Sequence, residues 1–146
     1  MSGVKDTKLV GEKTEIIVIS EFIRNGIPVS IPFGDNQPYD LVIDTIQGFK
    51  SVQVKHGNAK NGVIEADVRK RIGCDKVKYT TYDNLVDYIA IWCEDTDECY
   101  LLSMDECNGK TRIRLRIDSP RNNSCISTIV WAKDHLLRDK ILLLKK

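Results

Sequence analysis

The chain has 146 residues, 42% of them hydrophobic and 29% charged, with 22 basic side chains against 21 acidic ones. That length matches one ordinary domain, and the balance suits a folded chain that builds its own core, which excludes a disordered protein and a disulfide-stapled miniprotein. A net charge of +1 does not announce nucleic acid, but steering depends on where charges sit rather than on their sum.

The distribution is uneven. Lys60, Arg69, Lys70, Arg71, Lys76 and Lys78 gather in the middle of the chain, and Glu94, Asp95, Asp97 and Glu98 lie elsewhere, so a near-neutral total can hold a basic face. The five cysteines are Cys74, Cys93, Cys99, Cys107 and Cys125. No pair has the two-residue gap of a zinc knuckle or redox motif. Cys93 and Cys99 flank a turn and could meet in a hairpin, but nothing points to an oxidising compartment, so they are expected to stay reduced. The first twenty residues carry Lys5, Lys8, Glu12, Lys13 and Glu15 and read as neither signal peptide nor membrane span. The expectation is an intracellular protein of one domain over residues 1–146.

In chain order, residues 7–25 predict an amphipathic helix, with Val10, Ile16, Ile17, Ile19, Phe22 and Ile23 near helical spacing. Asn25-Gly26 supplies the left-handed stop. Residues 27–33 are extended, and Pro28 and Pro32 suit an edge strand. Residues 34–38 form a loop by composition. Residues 39–44 and 49–55 read as a hairpin, followed by a second loop over 56–62, rich in Gly and Asn. Residues 63–72 fit no single period. Residues 85–93 predict a buried strand and 99–102 its hairpin partner across an acidic turn. Residues 112–117 alternate strictly between arginine and aliphatic side chains, a strand with one face of each. A turn over 120–123 and a closing helix over 129–137 complete an α+β domain around one central sheet.

Cutting a phosphodiester requires a cation to offset charge on the phosphate and leaving oxygen, an oriented water, and a fixed positive group. Magnesium needs only one or two carboxylates plus substrate oxygens, and the hairpin can supply them. Asp40 stands near the start of one strand. Gln53 and Lys55, two apart on the next, share a face, and the Val54 carbonyl between them can also meet a cation. Glu15, in the first helix, adds a second carboxylate if that helix packs across the hairpin. Lys55 is then the fixed charge near the phosphate or the attacking water.

Gly11-Glu-Lys-Thr-Glu15, Val29-Ser-Ile-Pro-Phe-Gly-Asp-Asn36, Pro38-Tyr-Asp40 and Val52-Gln-Val-Lys55 resemble the PD-(D/E)XK endonucleases associated with group I introns. These are homing endonucleases similar in core to archaeal Holliday-junction resolvases. The likeness continues through Val86-Asp-Tyr-Ile-Ala-Ile-Trp-Cys93, Glu98-Cys-Tyr-Leu101, Arg114-Leu-Arg116, Asn122-Asn123 and Trp131-Ala132, nearly the whole chain. It implies a three-layer restriction-endonuclease-like core, with Glu15 and Asp40 as metal ligands, Lys55 as the catalytic lysine and Gln53 in the usual acidic slot. The cofactor implied is Mg2+, with Mn2+ able to substitute. The partner implied is double-stranded DNA, met by a homodimer or higher homo-oligomer. Two departures stand out: Tyr39 intervenes between Pro38 and Asp40, and Gln53 coordinates without bringing charge.

Each feature also has a plainer reading. Asp40 could flank a turn, Lys55 could be a solvated strand-end charge, and Glu15 could face solvent. Arg112, Arg114 and Arg116 form a basic stripe suited to phosphates, or a salt-laced solvent face. Arg69, Lys70 and Arg71, with Lys60, could follow a DNA backbone. Ser30 and Gln37 are candidates to position a phosphate. His56 could assist proton transfer, whereas Trp92 and Trp131 read as core. The functional expectation is sequence-specific double-strand DNA cleavage. A structure-selective junction resolvase and a DNA-binding module without chemistry are the alternatives.

Overall fold

The computed structural model describes residues 6–73, 78–120 and 128–146. Cys74, Lys76, Cys125, Asn122, Asn123 and most of the turn expected at 120–123 lie outside them. Helix α1 spans Thr7–Arg24. Asp6 caps it, its carboxylate accepting from the N–H groups of Lys8 and Leu9, donors the first turn cannot pair internally. Gly26, at φ +83, ends it in the conformation that glycine tolerates best. Thr14, Val18 and Phe22 form its buried stripe. Leu9, Ile16 and Ile23 stay exposed, so α1 carries apolar side chains on two faces.

Strand β1 (Val29–Ser30) lies at the sheet edge, as its flanking prolines predict, and pairs with β2 (Leu41–Thr45). Strand β2 forms the expected hairpin with β3 (Gly48–Lys60). The composition of residues 56–62 predicts a loop; instead β3 runs on to Lys60. Non-local pairing overrides the local signal: His56 and Gly57 have the parallel partners Trp92 and Cys93, and Asn58, Ala59 and Lys60 pair with the next strand. Gly57 acts as a spacer. A Cβ there would stand 2.8 Å from both Ile64 Cγ2 and Ile91 Cγ2, so only hydrogen fits. The reversal comes at Asn61 and Gly62, both with positive φ (53° and 75°), the signature of a two-residue hairpin turn that matches strand twist.

Strand β4 (Val63–Asp67) follows, with the small ribbon β5 (Lys70–Arg71) and β6 (Tyr79–Thr80) beyond it. The predicted buried strand is β7 (Tyr88–Cys93), parallel to β3 and antiparallel to β8 (Glu98–Ser103). After the short helix α2 (Met104–Cys107), β9 (Arg112–Arg116) returns beside β4. Its alternation is as predicted, with Ile113 and Leu115 buried.

The closing helix does not span 129–137. A 3-10 turn occupies Ala132–His135, and α3 covers Leu137–Leu144. The backbone at 130–131 is committed to the sheet: Val130 accepts from the N–H of Arg116, and Trp131 bridges to the same residue.

The sheet buries both faces. Against α1 and α3 it packs Val52, Val54, Ala90, Trp92 and Leu101; on the other face Ile64, Ile89, Ile91, Tyr100 and Leu115 meet α2 and the Tyr82–Val86 segment. Cys93 belongs to one cluster and Cys99 to the other. The hairpin register sets Cys99 opposite Trp92, and both thiols are free. Trp92 is core, as expected, and Trp131 is half-buried. Among the described residues no helix is long and apolar enough to cross a membrane.

Candidate active site

Strand β3 changes partner along its length. Its pairing with β2 ends at Leu41↔Val52, and its pairing with β4 begins at Asn58↔Glu65. Between them, residues 53–57 are held by β7 on one edge only. On the other edge β2 and β4 diverge and leave a seam. A backbone N–H facing such a seam needs an acceptor, and for Val54 it is the Asp40 carboxylate, at 2.8 Å. The Asp40 N–H in turn donates to the Val52 carbonyl at 2.9 Å. Asp40 thus continues the β2 ladder by one backbone bond and then replaces it with a side chain.

Glu15 reaches this seam from α1. Thr14 fixes the helix there: it is buried, its hydroxyl donates to the Val10 carbonyl at 2.7 Å, and its oxygen lies 3.2 Å from His56 Nδ1. The Asp40 charge raises the cost of ionising Glu15. Burial comes first for Glu15, and the neighbouring Asp40 charge adds to it, so its carboxyl stands above the ordinary range. Burial also pushes Asp40 up, against the opposing pull of the Val54 N–H and the Lys55 ammonium. Lys55 mirrors this: burial pushes it down, while Asp40 and Asp67 oppose that shift. Glu15, Asp40 and Lys55 therefore share one electrostatic neighbourhood.

Two carboxylates, each disfavoured in its charged form, gain from a cation between them. Among the described residues no group of three His, Cys, Asp or Glu gathers as a metal site, and the further protein oxygens beside Asp40 are those of Gln53 and the Val54 carbonyl. That carbonyl faces the seam side of β3, as the Val54 N–H does, and now accepts from Gln53 Nε2 at 3.3 Å. A cation on the carbonyl would favour turning the amide so that its oxygen faces inward. Carboxylate, amide and carbonyl oxygens form a hard-donor set suited to magnesium rather than to a thiolate-seeking metal.

The outlying candidates fall into separate places. Arg112 and Arg114 flank Glu65, with Arg114 Nε at 3.1 Å and Arg112 at 3.7 Å from its oxygens. Arg116 donates to the Asp118 carbonyl at 2.8 Å. Lys60, Glu65, Asp67, Arg112 and Arg116 line an open cleft of about 1180 Å³, and of these Asp67 also attracts the Lys55 ammonium. Arg69 is engaged by Asp67 through its Nε at 2.9 and 3.0 Å and stacks 4.5 Å over Tyr79. Lys70 is half-buried and Arg71 exposed in the β5–β6 ribbon. Ser30 is exposed on the edge strand β1, and Gln37 is exposed three residues before Asp40. His56 points to the α1 side, edge-on to Trp92 at 5.6 Å, while strand alternation sends Gln53 and Lys55 to the opposite face.

Two groups at Lys55 carry no motif in the sequence. Tyr82 Oη lies 3.3 Å from Lys55 Nζ, and Asp67 on β4 faces the same ammonium electrostatically. Tyr82 sits 27 residues away in a turn and Asp67 at a strand end; no spacing rule joins them to Lys55.

The family model of the PD-(D/E)XK endonucleases matches residues 5–137. Among solved structures, a bacterial homing endonuclease, I-Ssp6803I, matches with a TM-score of 0.73 and 24% identity over 94% of this chain and 93% of that one, a likeness of fold. No curated protein matches the chain. With a seam where two strands part from β3, a carboxylate bound into it and a lysine beside it, the chain belongs to the PD-(D/E)XK endonuclease family.

Proposed function

We propose that this protein is a divalent-metal-dependent endonuclease that hydrolyses phosphodiester bonds in double-stranded DNA, one nuclease domain with its site at the β2/β3 seam. The observation that carries this reading is the Asp40 carboxylate, half-buried against the Val54 N–H and coupled to both Glu15 and Lys55. Glu15, Asp40, Gln53 and the Val54 carbonyl are the groups to hold Mg2+, with Mn2+ as a substitute. Bound there, the ion would offset charge on the phosphate and leaving oxygen. Asp40, locked by a backbone hydrogen bond, supplies a preorganised oxygen. Glu15, raised by burial and by the Asp40 charge, is disfavoured as a lone anion and gains from that charge. Lys55 presents a positive group to the phosphate or the attacking water.

Lys60, Arg112, Arg114 and Arg116, with Arg69, Lys70 and Arg71, are candidates for the DNA backbone, and Ser30 and Gln37 for a phosphate nearer the site. The cleft that joins Asp67 to Lys60 and Arg112 supports a path from the seam along β4 and β9. Two strand cuts by a one-site chain call for at least a homodimer and a target with matching two-fold symmetry. The exposed Leu9, Ile16 and Ile23, and the fully exposed Phe33, supply apolar surface for it.

The test is cleavage of supercoiled plasmid by wild type, Asp40→Asn and Lys55→Ala, with Mg2+ or with EDTA. Only wild type with the ion should nick. A wild-type protein that binds DNA and never nicks it would make this a binding module. Strong preference for a synthetic four-way junction over plasmid would instead make it a resolvase.

A further inference from the structure

Lys55 ends in an ammonium that only donates hydrogen bonds, on a flexible four-carbon stem with rotamer freedom to lose. A site that depends on its position must hold it by something other than its own stiffness. Asp40 and Asp67 both attract it, but a close ion pair with either would spend the charge the phosphate needs. Tyr82 offers a different contact. Its hydroxyl oxygen is 3.3 Å from Lys55 Nζ, and the ammonium lies 5.0 Å from its ring centroid, within cation–π range.

Tyr82 is itself immobilised. It is only 8% exposed and shares the apolar cluster of Val68, Val86, Ile91 and Met104, and its carbonyl accepts from the Leu85 N–H at 2.9 Å. Burial with the nearby Asp40 and Asp67 charges pushes its phenol up to about 12. It therefore stays a neutral dipole and adds no third anion beside the lysine.

We propose that Tyr82 is a positioning residue for Lys55, its core-anchored hydroxyl accepting one ammonium hydrogen bond so that the remaining donors and the full charge face the substrate phosphate. The kinetic part rests on the nuclease reading above. The contact itself does not.

Tyr82→Phe keeps the ring and its packing and removes only the acceptor. The expected result with plasmid and Mg2+ is a kcat lowered by about tenfold or more, with KM and Tm unchanged. In 15N-lysine-labelled protein at low temperature, the Lys55 ammonium correlation (assigned by its loss in Lys55→Ala) should be visible in wild type and lost in Tyr82→Phe. Wild-type kcat in the variant overturns the proposal. So does a fall in kcat that merely tracks Tm, as it would in the core variant Val86→Ala. A Lys55 resonance absent from wild type, or unchanged by Tyr82→Phe, overturns it as well. If wild type cuts nothing, the nuclease reading fails and the spectra alone decide whether Tyr82 holds the lysine.

Discussion

The seam beside β3 and the ribbon of β4 and β9 both gather charges, and they treat them in opposite ways. In the seam, Glu15, Asp40 and Lys55 are half-buried, and desolvation is the first cause of every shift, carboxyls upward and amine downward. On the ribbon, Arg112 and Arg114 are exposed and lean on Glu65, and Arg116 on a backbone carbonyl. Charges kept out of water without full compensation are costly for folding and useful for chemistry. Charges paired in water cost little and are worth little until a polyanion displaces the partner. In the proposed function the seam is the place where bonds are cut, and the ribbon the place where DNA is held.

The sharpest way to break this contrast is Lys55→Ala. It should lower the cleavage rate by about 10²–10³-fold, the usual effect of losing one fixed charge at a developing anion, while DNA affinity in a filter-binding assay changes a few-fold at most. A comparable loss of affinity would move Lys55 to the holding surface.

Asp40→Asn should also abolish nicking, and it adds a stability signature. Burial raises the carboxyl in the folded protein, so the cost of its charge is present above the folded pKa and gone below the unfolded value of about 3.9. In metal-free buffer the variant should melt a few degrees higher than wild type at neutral pH, with the gap closing as the pH drops through the acid range. The amide oxygen can still accept from the Val54 N–H. A lower melting temperature at pH 7 would make Asp40 chiefly a structural acceptor.

Gly57→Ala probes the floor of the seam. Its methyl would press on Ile64 and Ile91 at 2.8 Å, and overpacking of this kind costs about 1–3 kcal/mol, readable as a lower urea midpoint. An unchanged midpoint would mean that the strands separate more easily than their packing suggests. The smallest effect belongs to the ribbon. Glu65→Gln should free Arg112 and Arg114, tighten DNA binding a few-fold at low salt and steepen its salt dependence, with kcat untouched. A changed kcat at unchanged affinity would place Glu65 in the chemistry instead.

Much of this was legible in the sequence because its signals were periodic. The span of α1 and its Asn25-Gly26 stop, the hairpin of β2 and β3, the apolar run of β7 and the alternation of β9 all appear as expected, whereas the buried stripe of α1 is Thr14, Val18 and Phe22, and Ile16 and Ile23 of the expected stripe are exposed. Residues 56–62 were misread because Gly57 and Asn58 look like breakers locally, whereas their strand conformation is set by partners more than thirty residues away or across a turn. The same limit hid Tyr82, whose link to Lys55 exists only after β4 and the β5–β6 ribbon bring it back. It also hid Glu65, which turns a bare row of arginines into a paired one. Linear order shows which face a residue occupies, and it is silent about who waits opposite.

The parallel contact of β3 with β7 has a kinetic side. Ser51 and Asp87, 36 residues apart, must meet before β3 is held along the edge opposite the seam, and closing so long a loop is slow compared with forming a hairpin. A nascent chain can zip β2 to β3 early and still lack the strand that pairs with Lys55. Chains truncated before β7 would then be inert even with the whole motif present, and the ability to cut would emerge late in folding, together with the core.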